Sequence, residues 1–157
     1  YMQDAADWGV AAVERAAAGL TCTTAVHICY GYGIKANDDW KKTLGDEWNQ
    51  YELVLPVLAK SSIKQVSLES YHSHVPAHLM ALLEGKDVMV GVIDVASDEI
   101  ETPEQIADTI GRALQFVPKN KLFPCTNCGL APMSREVAIK KLEALAKGAA
   151  LARTRFA

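Results

Sequence analysis

The sequence predicts an α/β fold built from four βα units. Three observations carry this. Short β-branched or apolar runs alternate with helical stretches in the order α-β-α-β-α-β-α-β-α, which implies parallel strands joined by right-handed crossovers. Residues 88–93 are almost continuously apolar, as a strand covered on both faces requires. Thr102-Pro103-Glu104-Gln105 combines a capping box with proline at the first helical position, a strong helix start.

Each element follows from local chemistry. Residues 4–19 read as a helix: Ala, Val and Leu dominate, Trp8 and Val13 add bulk, and Gly19 suits a C-cap. Residues 22–29 form the first strand, rich in Thr23, Thr24, Val26 and Ile28. Tyr30-Gly31-Tyr32-Gly33 is a flexible loop. Asn37 or Asp38 caps a polar helix carrying Trp40, Leu44 and Trp48, and Pro56 starts or kinks a helical piece through Lys60. Residues 63–69 are the second strand. A loop with Tyr71, His72 and His74 leads to Pro76, which opens a short helix over 78–83 ending at Gly85. After the third strand, 88–93, the capped helix runs to about Val117, where Pro118 stops it. Residues 121–125 are the fourth strand, and Ser134 caps a last helix rich in Ala, Lys and Leu. Four parallel strands fit a small open sheet, or half of an eight-stranded barrel, which normally takes about 250 residues.

The 157 residues suffice for one domain with a sizeable core, and 50% apolar with 22% charged residues is ordinary for a globular chain. A net charge of −3 and scattered basic residues argue against a nucleic-acid surface. Lys140-Lys141 and the pair Arg153 and Arg155 read as helix surface and tail. No apolar run approaches a membrane span, and no signal peptide opens the chain. A cytoplasmic protein with reduced thiols is expected. The first residues already read as helix, so the chain is expected to enter a fold partway through.

Soft metal ligands stand where strands end. His27 and Cys29 close the first strand, Glu69 closes the second, and Cys128 follows the fourth in Pro124-Cys125-Thr126-Asn127-Cys128-Gly129-Leu130. Two thiolates, an imidazole and a carboxylate make a tetrahedral zinc set. Convergence of strand ends is how a barrel enzyme assembles a site. Singly, each residue has a plainer reading: a hydrogen-bonded histidine, a small buried cysteine, a paired or solvated carboxylate. Their coincidence at three of four successive strand ends favours a metal. Cys125 competes with Cys128, and Cys125-Thr126-Asn127-Cys128 also reads as a redox CxxC. That reading ranks low, because Gly129 and Pro132 follow and helix signals resume only at Ser134. Cys22 sits at the far end of its strand from Cys29, roughly 20 Å away at about 3.3 Å per residue. Asp94 ends the third strand and is expected to orient a ligand or substrate. Tyr30, Tyr32, His72 and His74 fall on the same side by loop position, His78 reads as helix surface, and the tryptophans as core or helix-packing positions.

At these residues the chain resembles the catalytic domain of cobalamin-independent methionine synthase. The segments are His27-Ile28-Cys29-Tyr30, Ile63-Lys64-Gln65-Val66-Ser67-Leu68-Glu69-Ser70, Gly91-Val92-Ile93-Asp94 and Asn127-Cys128-Gly129-Leu130, with Trp8-Gly9-Val10 in an opening helix over residues 1–19. The resemblance implies an α/β chain whose four βα units form the second half of a (β/α)8 TIM barrel, over residues 1–157. It implies zinc held by His27, Cys29, Glu69 and Cys128, with Asp94 beside the chemistry. It implies methyl transfer from 5-methyltetrahydrofolate, or another methyl donor, to the homocysteine thiolate, giving methionine. Ala96 stands where the family has a histidine that protonates the folate leaving group, so His72, His74 or a different donor takes its place. The helical insert around residues 40–58 resembles short, single-barrel relatives, whose donors include methylated corrinoid proteins. About 150–200 upstream residues, or a second chain, are expected to close the barrel, and the chain alone is expected to be inactive. Rival readings are a related zinc methyltransferase acting on another thiol such as coenzyme M or using a methylcorrinoid protein, and a non-catalytic zinc-binding fragment. No nucleic-acid or membrane partner is expected.

Overall fold

A computed structural model of the chain describes residues 2–157; Tyr1, where the opening helix and the expected domain begin, lies outside the described residues. The opening helix is α1 (Met2–Asp4), a π-helical turn (Ala5–Gly9) and α2 (Val10–Ala17). Then come β1 (Ala25–Ile28), α3 (Lys35–Lys41), α4 (Tyr51–Lys60) and β2 (Gln65–Leu68). A 3-10 helix (Ala77–Leu83) leads to β3 (Asp87–Ile93), α5 (Pro103–Ala113), β4 (Leu122–Thr126) and α6 (Arg135–Arg155).

All four strands are parallel and pair in sequence order, β1-β2-β3-β4. Sequential order means that each crossover advances one strand in the same direction, which is barrel winding rather than the reversing order of a doubly wound sheet. One face of the sheet is dry. Val66, Leu68, Val88 and Val90 are at most 1% exposed and share a core with Leu55, Leu58, Leu79, Ile106 and Ile110 from the helical layer. On the opposite face His27, Ser67, Met89 and Phe123 stand in one register row, and Phe123 is 42% exposed.

The predicted helix starts at Thr102 and Ser134 are present. Thr102 accepts from Gln105 N while the Gln105 side chain accepts from Thr102 N, and Ser134 accepts from Val137 N. Elsewhere the structure corrects the reading. Helix α3 starts at Lys35 with no side-chain cap, because the Asn37 amide turns away to the Tyr30 carbonyl. It stops at Lys41, so Leu44 and Trp48 lie beyond it. Helix α4 begins at Tyr51 and runs through Pro56. Trp8 is 65% exposed rather than packed; it lies two residues, about 200° of helical turn, from the buried Val10. Trp40 and Trp48 do pack, both against the Tyr30 ring. Lys141 is fully buried rather than on the helix surface. It shares the inner stripe of α6 with Ala144, Gly148 and Ala152, at spacings of helical period. No helix among the described residues is long and apolar enough to cross a membrane.

Candidate metal centre at the strand ends

Parallel pairing brings the carboxyl ends of all four strands to one edge. His27 lies in β1 and Cys29 directly follows it; Glu69 follows β2, Asp94 follows β3, and Cys128 lies two residues past β4. In a flat sheet β1 and β4 would stand about 14 Å apart, at ~4.8 Å per strand. Here the Sγ atoms of Cys29 and Cys128 are 3.8 Å apart, so the sheet curls and its end loops fold inward. One donor atom each from His27, Cys29 and Cys128 lies within 4.8 Å of the others. Cys22 is exposed at the other end of β1 and takes no part. Cys125 is also outside this group; its sulfur lies 3.7 Å from Ser67 Oγ.

Glu69 is 3% exposed and sits beside the cluster in a cradle of donors. Tyr30 N (2.6 Å) and Tyr51 Oη (3.3 Å) donate to Oε1, and Tyr32 Oη (2.6 Å) donates to Oε2. Burial, reinforced by the Glu69 charge, pushes the Tyr30 hydroxyl up to about 12 and raises Tyr32 and Tyr51 further in the same direction. All three phenols therefore stay protonated at neutral pH, and Tyr32 and Tyr51 remain donors to the carboxylate. The insert supplies the wall behind them. The Tyr30 ring lies 4.8 Å from Trp48, 4.9 Å from Tyr51 and 5.7 Å from Trp40, and its hydroxyl donates to Gln50. Burial, with Cys128 and Glu69 nearby, pushes the Cys29 thiol up to about 11. His27, open on one side and backed by the sheet on the other, is shifted down by desolvation against a smaller raising effect of Glu69. An imidazole and two sulfurs within reach of one another, with a buried carboxylate beside them, are a donor set of the kind that can hold a metal cation.

Cys128 is placed by residues the sequence reading missed. Asn127 is 1% exposed, and its backbone N–H and both polar side-chain atoms are tied across the edge. Its N donates to Ile93 O, its Oδ1 accepts from Ser70 N, and its Nδ2 donates to Tyr71 O. It reaches there because β3 carries Gly91: an added Cβ would lie 2.3 Å from Asn127 Oδ1, 2.8 Å from Asn127 Cα and 2.9 Å from Leu68 O. An isolated glycine in an apolar strand was the available signal, since it marks close backbone approach. The register of β3 and β4 also slips here: Gly91 pairs with Cys125 but Ile93 with Thr126, so β3 holds one extra residue. Such bulges re-aim a strand end.

Asp94 faces the mouth. Its Oδ1 accepts from Ala96 N at 2.8 Å, and its Oδ2 lies 3.5 Å from Nδ1 of His72. Its own N donates to Glu101 Oε1, and Glu101 is gripped by the buried Lys141 ammonium. His72, at φ +53°, stacks on Tyr71. His74 turns away, with Nδ1 2.9 Å from Asp46 O and its ring stacked on Trp48. His78 is exposed, as expected. An open cleft of about 450 Å³ beside the cluster is lined by Tyr32, Lys41, Trp48, Glu69, His72 and Ala96 among others.

Comparisons with known proteins point to one family. A family model described as "Cobalamin-independent synthase, Catalytic domain" matches residues 2–151. Methionine synthases of Saccharolobus islandicus (strain Y.G.57.14 / Yellowstone #1) and Saccharolobus solfataricus are 30% and 28% identical to the chain over 148 residues, 93% of its length. The match spans 39% of each of these two relatives. A solved B12-independent methionine synthase from Shewanella sp. W3-18-1, in complex with selenomethionine, superposes with a TM-score of 0.93 at 58% identity, over 99% of this chain and 46% of that one.

Proposed function

The chain belongs to the cobalamin-independent synthase catalytic-domain family, and on that premise we propose that it is the C-terminal half of a (β/α)8 methyltransferase that makes methionine from homocysteine. The observation that carries the reading is the convergence of His27, Cys29 and Cys128 from the first and last strand ends, with the Glu69 carboxylate beside them.

The donor set fits zinc. Two sulfurs and an imidazole are its preferred ligands, and a carboxylate completes a tetrahedron. We assign His27, Cys29, Glu69 and Cys128 as the residues that hold it. When bound, zinc supplies a positive centre on which a substrate thiol is kept as thiolate at neutral pH. The remaining work falls to the chain's own side chains. Tyr30 N, Tyr32 and Tyr51 donate to Glu69 and would keep its carboxylate hydrogen-bonded whether or not it also held the metal. Tyr32 and Trp48 line the open cleft in which the acceptor and the methyl carrier must meet, and holding both in line converts a collision into an intramolecular step. Asp94 fixes the mouth and holds His72.

The methyl donor is 5-methyltetrahydrofolate or a methylated corrinoid protein. A departing folate nitrogen needs a proton, for which His72 is the imidazole at hand. A corrinoid needs none, and Ala96, which leaves the mouth without a second imidazole, favours that second route. The remaining half-barrel comes from upstream sequence or from a second chain.

The test is metal content by mass spectrometry on the full-length protein. About one zinc per chain is expected. Cys128→Ser loses it, and Cys125→Ser keeps it. Zinc-free but folded wild type overturns the reading, and loss with Cys125→Ser but not Cys128→Ser reassigns the ligand.

A further inference from the structure

His27, Ser67 and Cys125 form a line of polar side chains on the open face of the sheet. His27 and Ser67 are register partners in adjacent strands. Their Nδ1 and Oγ atoms are 3.0 Å apart, a good hydrogen bond. Cys125 lies two strands from Ser67, opposite Gly91, where β3 has no side chain to separate them. Its Sγ is 3.7 Å from the same Oγ, within reach for a sulfur hydrogen bond. Ser67 is 8% exposed, so this hydroxyl has little access to water.

A serine hydroxyl has one proton to give. If it is donated to the Cys125 sulfur, the oxygen lone pairs accept from His27, and Nδ1 must carry the proton. Nε2 then presents its lone pair. The reverse direction places the imidazole proton on Nε2 and blocks that nitrogen as a ligand. With Nδ1 occupied by Ser67, Nε2 is the nitrogen left to face Cys29 and Cys128. Only the first direction is compatible with a ligating His27.

We propose that Ser67 is the positioning residue of the metal centre and Cys125 its anchor: Ser67 accepts from His27 Nδ1–H, donates to Cys125 Sγ, and so commits Nε2 to the metal. This rests on the zinc reading above. Cys125 then acts through two hydrogen bonds and the His27 ring, not as a ligand or a redox partner. A hydrogen bond to the far nitrogen of a ligating histidine fixes the ring and raises its basicity, and its loss typically lowers metal affinity about 10–100-fold.

The experiment measures Zn²⁺ affinity by chelator competition, and the visible spectrum of the Co²⁺-substituted form, in the full-length protein. Ser67→Ala is expected to bind Zn²⁺ about 10–100-fold more weakly, with changed Co²⁺ bands and unchanged melting of the metal-free protein. Ser67→Thr keeps the hydroxyl and restores wild-type affinity and spectrum. Cys125→Ala weakens binding less than Ser67→Ala, and Cys125→Ser stays near wild type. Wild-type affinity in Ser67→Ala overturns the proposal, as does a Ser67→Thr variant as weak as Ser67→Ala. Failure of the wild type to bind Zn²⁺ or Co²⁺ overturns instead the zinc reading on which it rests.

Discussion

Lys141→Met is expected to destabilise the protein by about 3–5 kcal/mol, the usual effect of breaking a buried pair from one side. The Lys141 side chain is 0% exposed, and its Nζ lies 3.0 and 3.1 Å from the two Glu101 oxygens. It also donates to Glu99 O. Methionine fills the space but leaves a carboxylate in the core without its counter-charge. Calorimetry should show Tm lower by roughly 6–20 °C for a domain of this size. Adding Glu101→Gln removes the stranded charge while keeping an acceptor for Asp94 N, so the double variant should recover a large part of the loss. An unchanged Tm in Lys141→Met would show that the pair contributes nothing. The effect also reaches the mouth, because Glu101 holds the backbone of Asp94.

Gly91→Ala is expected to cost about 3 kcal/mol or more, at or above the upper end for overpacking. Two of the three contacts that the added carbon would make are with backbone, Asn127 Cα and Leu68 O. Rotamer changes relieve only the third. The strands must separate, or Asn127 must leave its bonds to Ser70 and Tyr71. Either movement shifts Cys128, so weaker metal binding should accompany the lower stability, read by urea unfolding and chelator competition on the same sample. Equal stability to wild type would mean that Asn127 does not cross β3 at this point.

Those two residues show what the sequence made legible. The βα alternation and the caps at Thr102 and Ser134 were readable because hydrophobic period and capping chemistry are local. The metal-ligating types at strand ends were readable because parallel strands end on one edge. Glu69 was readable as a costly buried charge, but not its three donors, which come from residues 30, 32 and 51. The segment from α3 to α4 was misread because its aromatic residues answer to Tyr30, a tertiary partner, rather than to helical period. Lys141 was hidden by its neighbours. The bulky Ile139 and Leu142 are 46% and 48% exposed, while the rest of the inner stripe beside Lys141 is made of small residues, so bulk points to the wrong face. Gly148 shows why: a Cβ there would come within 2.4 Å of Ile106, so α6 lies against α5 almost backbone to side chain.

The two sulfurs that meet at 3.8 Å are 99 residues apart in the chain. An ion bound by both is a clasp around most of the sequence, tying the first strand to the last across everything between. Closing a loop of about 100 residues removes denatured-state entropy worth about 4.7 kcal/mol in the chain-entropy treatment of cross-links. Occupancy and folding are then coupled equilibria. The melting temperature should climb with free zinc concentration, as mass action requires when a ligand binds only the folded state. Stripping the ion should loosen β1 and β4 together, although two strands separate them.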